Sequence, residues 1–336
     1  MAFALERGTN ISNWLSQSKR RGQERERFFT HDDVKRIADW GFDHIRLPVD
    51  EEQLCGAAGA EEPEAWKLLE SALDWSERAG LRVVVDLHLL RSHHFLEKVE
   101  PRLFTDPAET ARFANLWRQM STRLRGRDTD RVAYELMNEP VAHTAANWNR
   151  VAMAALAAIR EVEPARTVVL GSNHFNSPFW FDRLHVPADA RLILTFHYYI
   201  PMAITHYGAQ WTELRAYSGP VNYPGLPIDP AEIEKVREPE RAVLRSWNKP
   251  CDAGAMEQDI VQPLAAARRT GLGLYCGEFG AIRRAPEAAR QAWYRDLLGV
   301  FRKHHIAWAN WDYCGGFAPL WSEGRSTGLA ELMLGG

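Results

Sequence analysis

The sequence contains few cysteines. Only four of its 336 residues are cysteine, and no two of them have the spacing Cys-x-x-Cys: Cys55, Cys251, Cys276 and Cys314. A disulfide framework needs a dense set of paired cysteines, and a zinc ribbon needs closely spaced thiolate ligands. Both classes are therefore excluded. We expect free thiols, with Cys276 buried because it lies in an apolar run.

The chain also lacks a long apolar run and a strong net charge. No segment approaches the roughly 20 apolar residues that span a bilayer, and the first residues do not pair a basic segment with an apolar one. The 41 basic and 44 acidic residues leave a net charge of -3, which argues against nucleic acid or an anionic membrane as a partner. We expect a soluble monomer, and its localisation is left open.

Linkers, repeats and low-complexity tracts are missing as well. No stretch rich in proline, glycine or serine divides the sequence. Hydrophobic residues make up 46% of the chain, which is enough for a large core. Length alone permits either two ordinary domains or one barrel-sized domain. Because nothing separates two halves, we expect a single domain over residues 1–336.

Strand-like and helix-like segments alternate along the whole chain. Short apolar runs predict strands at residues 8–11, 44–49, 81–88, 131–139, 167–173, 192–199, 274–280 and 306–313. Amphipathic stretches predict helices at residues 31–40, 63–79, 107–124, 146–161, 231–247, 260–270 and 286–304. This alternation predicts an α/β protein with the (β/α)8 architecture of a TIM barrel. The alternative is an open doubly wound sheet, but no Gly-x-Gly-x-x-Gly motif follows the first strand.

Three of the predicted connections that follow strands are long, at residues 89–106, 174–190 and 200–230. In a (β/α)8 barrel, every loop that follows a strand emerges on the catalytic face. We therefore expect these long βα loops to wall a substrate groove.

Two glutamates close predicted strands, Glu139 in an Asn-Glu-Pro motif and Glu278 in Gly-Glu-Phe-Gly. The two can converge across a barrel mouth although they are far apart in sequence. Retaining glycoside hydrolysis needs one carboxylic acid to protonate the departing oxygen and one carboxylate to attack the sugar, about 5 to 5.5 Å apart. Arg46 is a charge within a strand that should be buried, so it needs an anionic partner, and Glu278 is the candidate.

Other polar and aromatic residues fall at the same ends of their strands: His88, Asn138, His197, Tyr199 and Trp311. Taken alone, a histidine at a strand end is more often a hydrogen-bonded structural residue, and a tryptophan is usually packed in the core. His197 and Tyr199 share one face of their strand because side chains alternate. The joint pattern, rather than any one residue, predicts an active site.

With these residues, the sequence resembles glycoside hydrolase family 5, and within it the bacterial endo-β-1,4-glucanases. The resemblance covers nearly the whole chain. It depends on Arg-Gly-Thr-Asn-Ile at residues 7–11, Arg-Leu-Pro at 46–48, Asp-Leu-His at 86–88, Asn-Glu-Pro at 138–140, His-Tyr-Tyr-Ile-Pro at 197–201, Gly-Glu-Phe-Gly at 277–280 and Trp-Ala-Asn-Trp at 308–311. The segment at residues 205–211 also resembles a loop of those endoglucanases.

By position, the resemblance implies that Glu139 is the acid/base and Glu278 the nucleophile, with Arg46 and Tyr199 holding Glu278 ionised. We expect the pKa of Glu278 to be low, and Glu139 to stay protonated through partial burial and the neighbouring negative charge. The resemblance also implies a set of substrate-binding residues: Asn13, His88, Asn138, His197, Trp211 and Trp311. Among these, Asn138 would bind the 2-hydroxyl of the sugar, and His197 would lie beside Glu139. Neither a cofactor nor a metal is implied.

Two places depart from the family pattern. After His88, this chain has two leucines where many relatives have a histidine and an aromatic residue, so we expect His93 or His94 from the same loop to build the neighbouring subsite. After the fifth strand, where relatives often have a tryptophan, the chain has Phe175. Stacking on the leaving-group side is expected to be weaker or differently aimed.

The sequence therefore predicts a retaining, endo-acting hydrolase of β-1,4-glucan, with cellulose, carboxymethylcellulose or mixed-linkage β-glucan as its polysaccharide partner. A β-mannanase, a xyloglucanase and an exo-acting β-glycosidase remain open, because the fold and the carboxylates do not decide among them. A metal-dependent barrel hydrolase is a rival, since strand-end histidines and carboxylates also bind metals: its ligands would come from Asp86, His88, His93, His94 and His197. A carbohydrate-binding barrel without catalysis is a third possibility.

Overall fold

A computed structural model describes residues 3–56, 59–318 and 329–335. Eight parallel strands close into a barrel in which each strand pairs with its neighbours in sequence and the last pairs with the first. This confirms the predicted (β/α)8 fold. The strands are β1 Arg7–Asn10, β2 His44–Val49, β3 Arg82–Leu87, β4 Val132–Glu135, β5 Val168–Gly171, β6 Leu192–Tyr198, β7 Gly273–Phe279 and β8 Ala307–Asn310.

Two strands end earlier than their apolar runs suggest. Strand β4 ends at Glu135 and β8 at Asn310, so Glu139 and Trp311 lie in the loops that follow, not in the strands. Both residues are therefore on the face of the barrel where the βα loops emerge.

The longer helices surround the barrel close to their predicted positions. They are α1 His31–Asp39, α2 Pro63–Arg78, α3 Pro107–Leu124, α4 Ala145–Val162, α5 Glu240–Trp247, α6 Val261–Thr270 and α7 Glu287–Lys303. Shorter helices are at Gln23–Phe28, Glu51–Leu54, Arg102–Thr105, Met202–Thr205, Pro230–Ile233, Ala253–Asp259 and Leu329–Leu334, with 3-10 turns at Pro178–Arg183 and Glu213–Ala216. None of the helices in the described part of the chain is long and apolar enough to cross a membrane.

One predicted helix, at residues 231–247, is in fact two. The first piece ends at Ile233, and α5 begins only after Pro239. Proline lacks the N–H that a continuing helix would use and clashes with the preceding turn, so it interrupts the helical pattern.

Local sequence signals set the helix ends. Helices α2 and α3 each begin with a proline, preceded by an acidic residue whose side chain accepts a backbone N–H: Glu62 accepts from Ala65 and Asp106 from Ala108. Gly41 and Gly80 have φ values of 90° and 78° just beyond α1 and α2, the left-handed conformation that terminates a helix.

The interior of the barrel is layered. Val84, Ala133, Val169, Tyr275 and Ala309 form a separate apolar cluster at its lower end. Because side chains alternate along a strand, the next inward position of each strand lies nearer the mouth. At that level Asp86 of β3 and Glu135 of β4 lie side by side, and the active site is built on them.

The cysteine predictions are confirmed. All four cysteines are free thiols, and Cys276 is buried.

Strand β7 meets the backbone of the β8 loop with no space between them at Gly280, since a Cβ atom there would clash with the Trp311 carbonyl oxygen. We predict that Gly280→Ala lowers the free energy of unfolding by about 1–3 kcal/mol through overpacking. Gly299→Ala is the control, because it lies in α7 with open space around it and should raise stability by about 0.5–1 kcal/mol. Chemical denaturation of the two variants measures both effects, and equal stabilities would contradict the prediction.

Candidate active site

The side chain of Arg46 lies fully buried at the centre of the barrel mouth. Its guanidinium forms a bidentate pair with Glu135, with Nε 2.7 Å from Oε2 and Nη2 3.0 Å from Oε1. It also donates from Nη1 to Glu278 Oε1 at 2.7 Å, and its Nη2 lies 3.0 Å from Asp86 Oδ2. Arg46 therefore binds three carboxylates from three different strands or strand ends, and Glu278 is one of them, as the sequence predicts.

Glu278 is held on both of its oxygens. Oε1 accepts from Arg46, and Oε2 accepts from the Tyr199 hydroxyl at 3.0 Å. The side chain is fixed from two directions in a buried position.

Glu139 has a different environment. Its Oε1 lies 2.9 Å from His197 Nδ1, which is itself 3.7 Å from Glu278 Oε2. The backbone of Glu139 is in the left-handed region, with φ of 34°, a strained conformation of the kind often found at functional sites. One carboxylate oxygen of Glu139, one of Glu278 and a ring nitrogen of His197 all lie within 4.8 Å of one another. The two carboxylates therefore converge, as predicted.

Burial and neighbouring charges give the two carboxyl groups different pKa values. Burial raises the pKa of Glu139 well above its ordinary value, and the negative charge of Glu278 raises it further. Burial raises the pKa of Glu278 as well, but the charge of Arg46 and the hydrogen bond from Tyr199 oppose that rise. The expectation of a low pKa for Glu278 is therefore wrong, because desolvation exceeds the attraction of Arg46. The order is kept, with Glu278 the more readily ionised of the two.

Asn138 is fully buried and contacts Arg46. Its Oδ1 accepts from Arg46 Nη2 at 2.9 Å, which fixes the orientation of the amide. Its Nδ2 is buried and has no hydrogen-bond partner within the described chain. A buried donor of this kind is suited to a ligand hydroxyl.

An aromatic wall follows β3 and β8. The His88 ring stacks on Trp311, with centroids 5.6 Å apart and an interplanar angle of 10°. Asp86 Oδ2 lies 2.8 Å from His88 Nδ1 and so orients the ring. Phe95 packs its edge against the same imidazole at 5.9 Å. Phe95 was not foreseen from the sequence.

The two histidines expected to replace the missing family residues differ in position. The His93 ring is 0% exposed and packs edge-on against Phe104. The reason is a local turn, since the backbones of Leu90 and His93 pair with each other and direct that side chain inward. His94 is partly exposed and lies 5.1 Å from Phe95, beside the aromatic wall.

Phe175 and Trp211 are both exposed aromatic residues, at 44% and 54%. The backbone N–H of Phe175 donates to the carbonyl of Pro140, which places Phe175 beside Glu139. Trp211 packs against His206 and Phe317. Asn13 is partly buried in the loop after β1, where its side chain donates to Ser12 Oγ at 3.1 Å.

Three residues that the sequence reasoning missed complete the site: Glu135, Phe95 and Asn176. Glu135 could have been found, because it is an acid at an inward position of β4, two residues after the buried Ala133. Asn176 donates from Nδ2 toward His197 Nε2 at 3.3 Å. No pattern in the sequence marks Phe95 or Asn176, since both lie in loops whose course depends on tertiary contacts.

The ligand set proposed for a metal-dependent hydrolase does not assemble within the described chain. Among all the residues that the structure describes, the group whose side-chain ligand atoms lie close enough together to hold an ion is Glu139, His197 and Glu278. Asp86, which the metal reading requires as a ligand, faces the Arg46 guanidinium at 3.0 Å. A fixed positive charge at that distance opposes a cation.

Comparison with known proteins agrees with this geometry. The model of the cellulase family (glycosyl hydrolase family 5) matches residues 6–316. The chain is 28% identical to Endoglucanase C of Acetivibrio thermocellus over 98% of this chain and 97% of the relative. It is 29% identical to Cellodextrinase A of Ruminococcus flavefaciens over 90% of this chain and 83% of the relative.

The fold is similar to that of Thermotoga maritima Cel5A in complex with mannotriose. The TM-score is 0.77 at 22% identity, and the match covers 98% of this chain and 97% of that one. Since the family match spans nearly all of the barrel and the chain places two converging carboxylates at its mouth, the protein is an enzyme and belongs to the cellulases of glycoside hydrolase family 5.

Proposed function

We propose that this enzyme hydrolyses internal β-1,4-glucosidic bonds with retention, through a covalent glycosyl-enzyme. The observation that carries the proposal is the approach of Glu139 and Glu278, whose donor atoms come within 4.8 Å of each other. Retaining enzymes have carboxyl groups about 5–5.5 Å apart, whereas inverting enzymes leave about 6.5–9.5 Å for a water molecule. The short separation favours direct attack by one carboxylate.

Glu278 is the nucleophile in this proposal. Arg46 and Tyr199 bind its ionised form and aim one oxygen toward the sugar, and the other catalytic acid lies across the cleft. Its attack on the anomeric carbon forms a new C–O bond as the glycosidic C–O bond breaks. The departing oxygen takes the proton of Glu139, whose burial keeps it protonated.

The second step reverses these roles. Glu139, now ionised, removes a proton from water, and the water oxygen attacks the anomeric carbon and releases Glu278. His197 stays neutral throughout, because burial and the charge of Arg46 hold its pKa well below the ordinary value. The unpartnered Asn138 Nδ2 is available to bind the 2-hydroxyl, where hydrogen bonds strengthen in the transition state.

The proposed substrate is an extended β-1,4-glucan cut internally. Endoglucanase C is similar over nearly its whole length, and the loops after β3, β5 and β6 suit a long chain in an open groove. Cellodextrinase A, by its name, favours short oligosaccharides, and the mannotriose complex of the Thermotoga protein keeps β-mannan as a second candidate. A product profile on carboxymethylcellulose, barley glucan, glucomannan and xyloglucan separates these substrates and distinguishes endo from exo cleavage.

The acid/base assignment predicts a dependence on the leaving group. In Glu139→Ala, glycosides with a very acidic phenol should keep their first step, because that leaving group needs little protonation, while hydrolysis of unactivated cello-oligosaccharides should fall by about 10²–10⁴-fold. Glu278→Ala is the control and should lose both activities. Pre-steady-state release of phenol measures the first step, and an equal loss on both substrates in Glu139→Ala would contradict the assignment.

A second prediction concerns the pH profile. Activity should need ionised Glu278 and protonated Glu139, so it should fall below the pKa of Glu278 and above that of Glu139. Removing the Tyr199 hydroxyl removes a hydrogen bond to the ionised form, so in Tyr199→Phe the pKa of Glu278 should rise. The acidic limb should move to higher pH by about one to two units, since a hydrogen bond to a charged group contributes about 1.5–3 kcal/mol.

Tyr207→Phe is the matched control for this shift. Tyr207 lies close by, but its hydroxyl donates to the carbonyl of Gly219 and contacts neither carboxylate. Its acidic limb should be that of the unaltered enzyme. Coincident profiles for the two variants would refute the role given to Tyr199.

A third prediction concerns the aromatic wall. Phe95 packs against His88 in the place where the family pattern is missing, and we propose that it contacts the sugar on the non-leaving side. Phe95→Ala should raise KM for cello-oligosaccharides about five- to tenfold with little change in kcat, matching about 1–1.4 kcal/mol of lost binding. Leu96→Ala, at a neighbouring side chain that is 54% exposed, is the control and should change neither constant. A KM unchanged in Phe95→Ala would remove Phe95 from the subsite.

A further inference from the structure

The turn that follows β5 has an unusual backbone. His174, Phe175 and Asn176 have φ values of 54°, 64° and 52°, so three consecutive residues with side chains adopt the left-handed conformation. Each such residue costs about 1–2 kcal/mol relative to the right-handed form, and a turn of this kind persists only where its surroundings hold it. The turn ends in Asn176, whose side chain is 0% exposed.

The Asn176 side chain begins a chain of polar contacts that leads to Glu139. Asn176 Nδ2 lies 3.3 Å from His197 Nε2, and His197 Nδ1 lies 2.9 Å from Glu139 Oε1. An amide N–H₂ can only donate, so Nε2 of the neutral imidazole is the acceptor. The Nδ1–H tautomer of His197 is the one that satisfies both contacts, with Nε2 accepting from Asn176 and Nδ1 donating to Glu139.

Two glycines provide the space for this arrangement. A Cβ atom at Gly171, in β5, would overlap the Asn176 amide. A Cβ atom at Gly277, in β7, would lie 2.8 Å from Thr195 Oγ1 and 3.4 Å from His197 Nε2. The strands on either side of β6 are therefore both free of side chains where the amide meets the imidazole.

We propose that Asn176 is a positioning residue for the acid/base. It fixes the Nδ1–H tautomer of His197, and this N–H donates to Glu139 Oε1. The other oxygen, Oε2, is left to carry the proton that is transferred. In the first step the Oε2 proton passes to the glycosidic oxygen as its bond to the anomeric carbon breaks. In the second step a water proton returns to Oε2. The proposal rests on the acid/base role of Glu139 given above.

The best test is Asn176→Gly, because glycine keeps the left-handed backbone and deletes only the amide. We expect kcat/KM for unactivated cello-oligosaccharides to fall about 10- to 100-fold, as when a metal site loses the partner that orients a ligating histidine. For aryl glycosides with a very acidic phenol, which need little protonation, the first step should change less than threefold. A merely structural role would lower both rates together.

Asn173→Ala is the matched control. Asn173 is buried in the same turn, but its side chain exchanges two hydrogen bonds with the Ala142 backbone and does not contact His197. The Asn173→Ala variant should lose the same fraction of its activity on both kinds of substrate. If Asn173→Ala showed the selective loss, or if Asn176→Gly lost both rates equally, the proposal would fail.

A second variant and a spectroscopic measurement guard against a folding defect. Gly171→Ala leaves Asn176 in place but displaces its amide, and it should give the same selective loss. The ¹⁵N shifts of labelled histidine should show His197 as the neutral Nδ1–H tautomer, and an Nε2–H tautomer would overturn the proposal. If Glu139→Ala itself lost both rates equally, the proposed function would fail; if only Asn176→Gly did so, the role of Asn176 alone would fail.

Discussion

The interaction on which the rest of the site depends is the burial of the Arg46 guanidinium among carboxylates. A buried charge without partners costs several kcal/mol, and here the compensation comes from Asp86, Glu135 and Glu278 together. Their number exceeds the single positive charge. Burial raises the pKa of both Asp86 and Glu135 to about 7, against the opposing charge of Arg46. The single positive charge of Arg46 is shared among three carboxylates, so Glu278 is stabilised by only part of it.

This sharing explains how two glutamates in one cleft acquire different properties. Glu278 contacts both Arg46 and Tyr199, while Glu139 contacts the neutral ring of His197. Both are desolvated, so burial alone would not separate them. Their pKa values differ because the Arg46 guanidinium contacts Glu278 and not Glu139. The pKa of Glu139 is raised further by the negative charge of Glu278.

The sequence predicted the barrel well because its strands are apolar runs with regular spacing, and because a closed parallel sheet has one mouth. It also predicted which strand-end residues meet there. The positions of loop residues were harder to predict. His93 turns inward because its backbone pairs with Leu90, and Phe95 takes a place beside His88. Periodicity carries no information about either.

The predicted direction of the pKa shift of Glu278 was wrong for a different reason. Charge partners can be inferred from sequence, but the extent of desolvation depends on how completely the mouth closes over the side chain. Asn176 illustrates the same limit, because its contact with His197 requires a left-handed turn and two glycines in separate strands.

The Arg46 network also bears on how the protein acquires activity as it folds. Its guanidinium joins side chains from β1, β3, β4 and the end of β7, and the partner Glu278 is 232 positions away. Contacts this distant in sequence form late, after the chain has closed its large loops. The nucleophile is therefore not in place until the seventh strand docks, so partly folded barrels are inactive. The return of activity during refolding then reports closure of the barrel rather than formation of its helices.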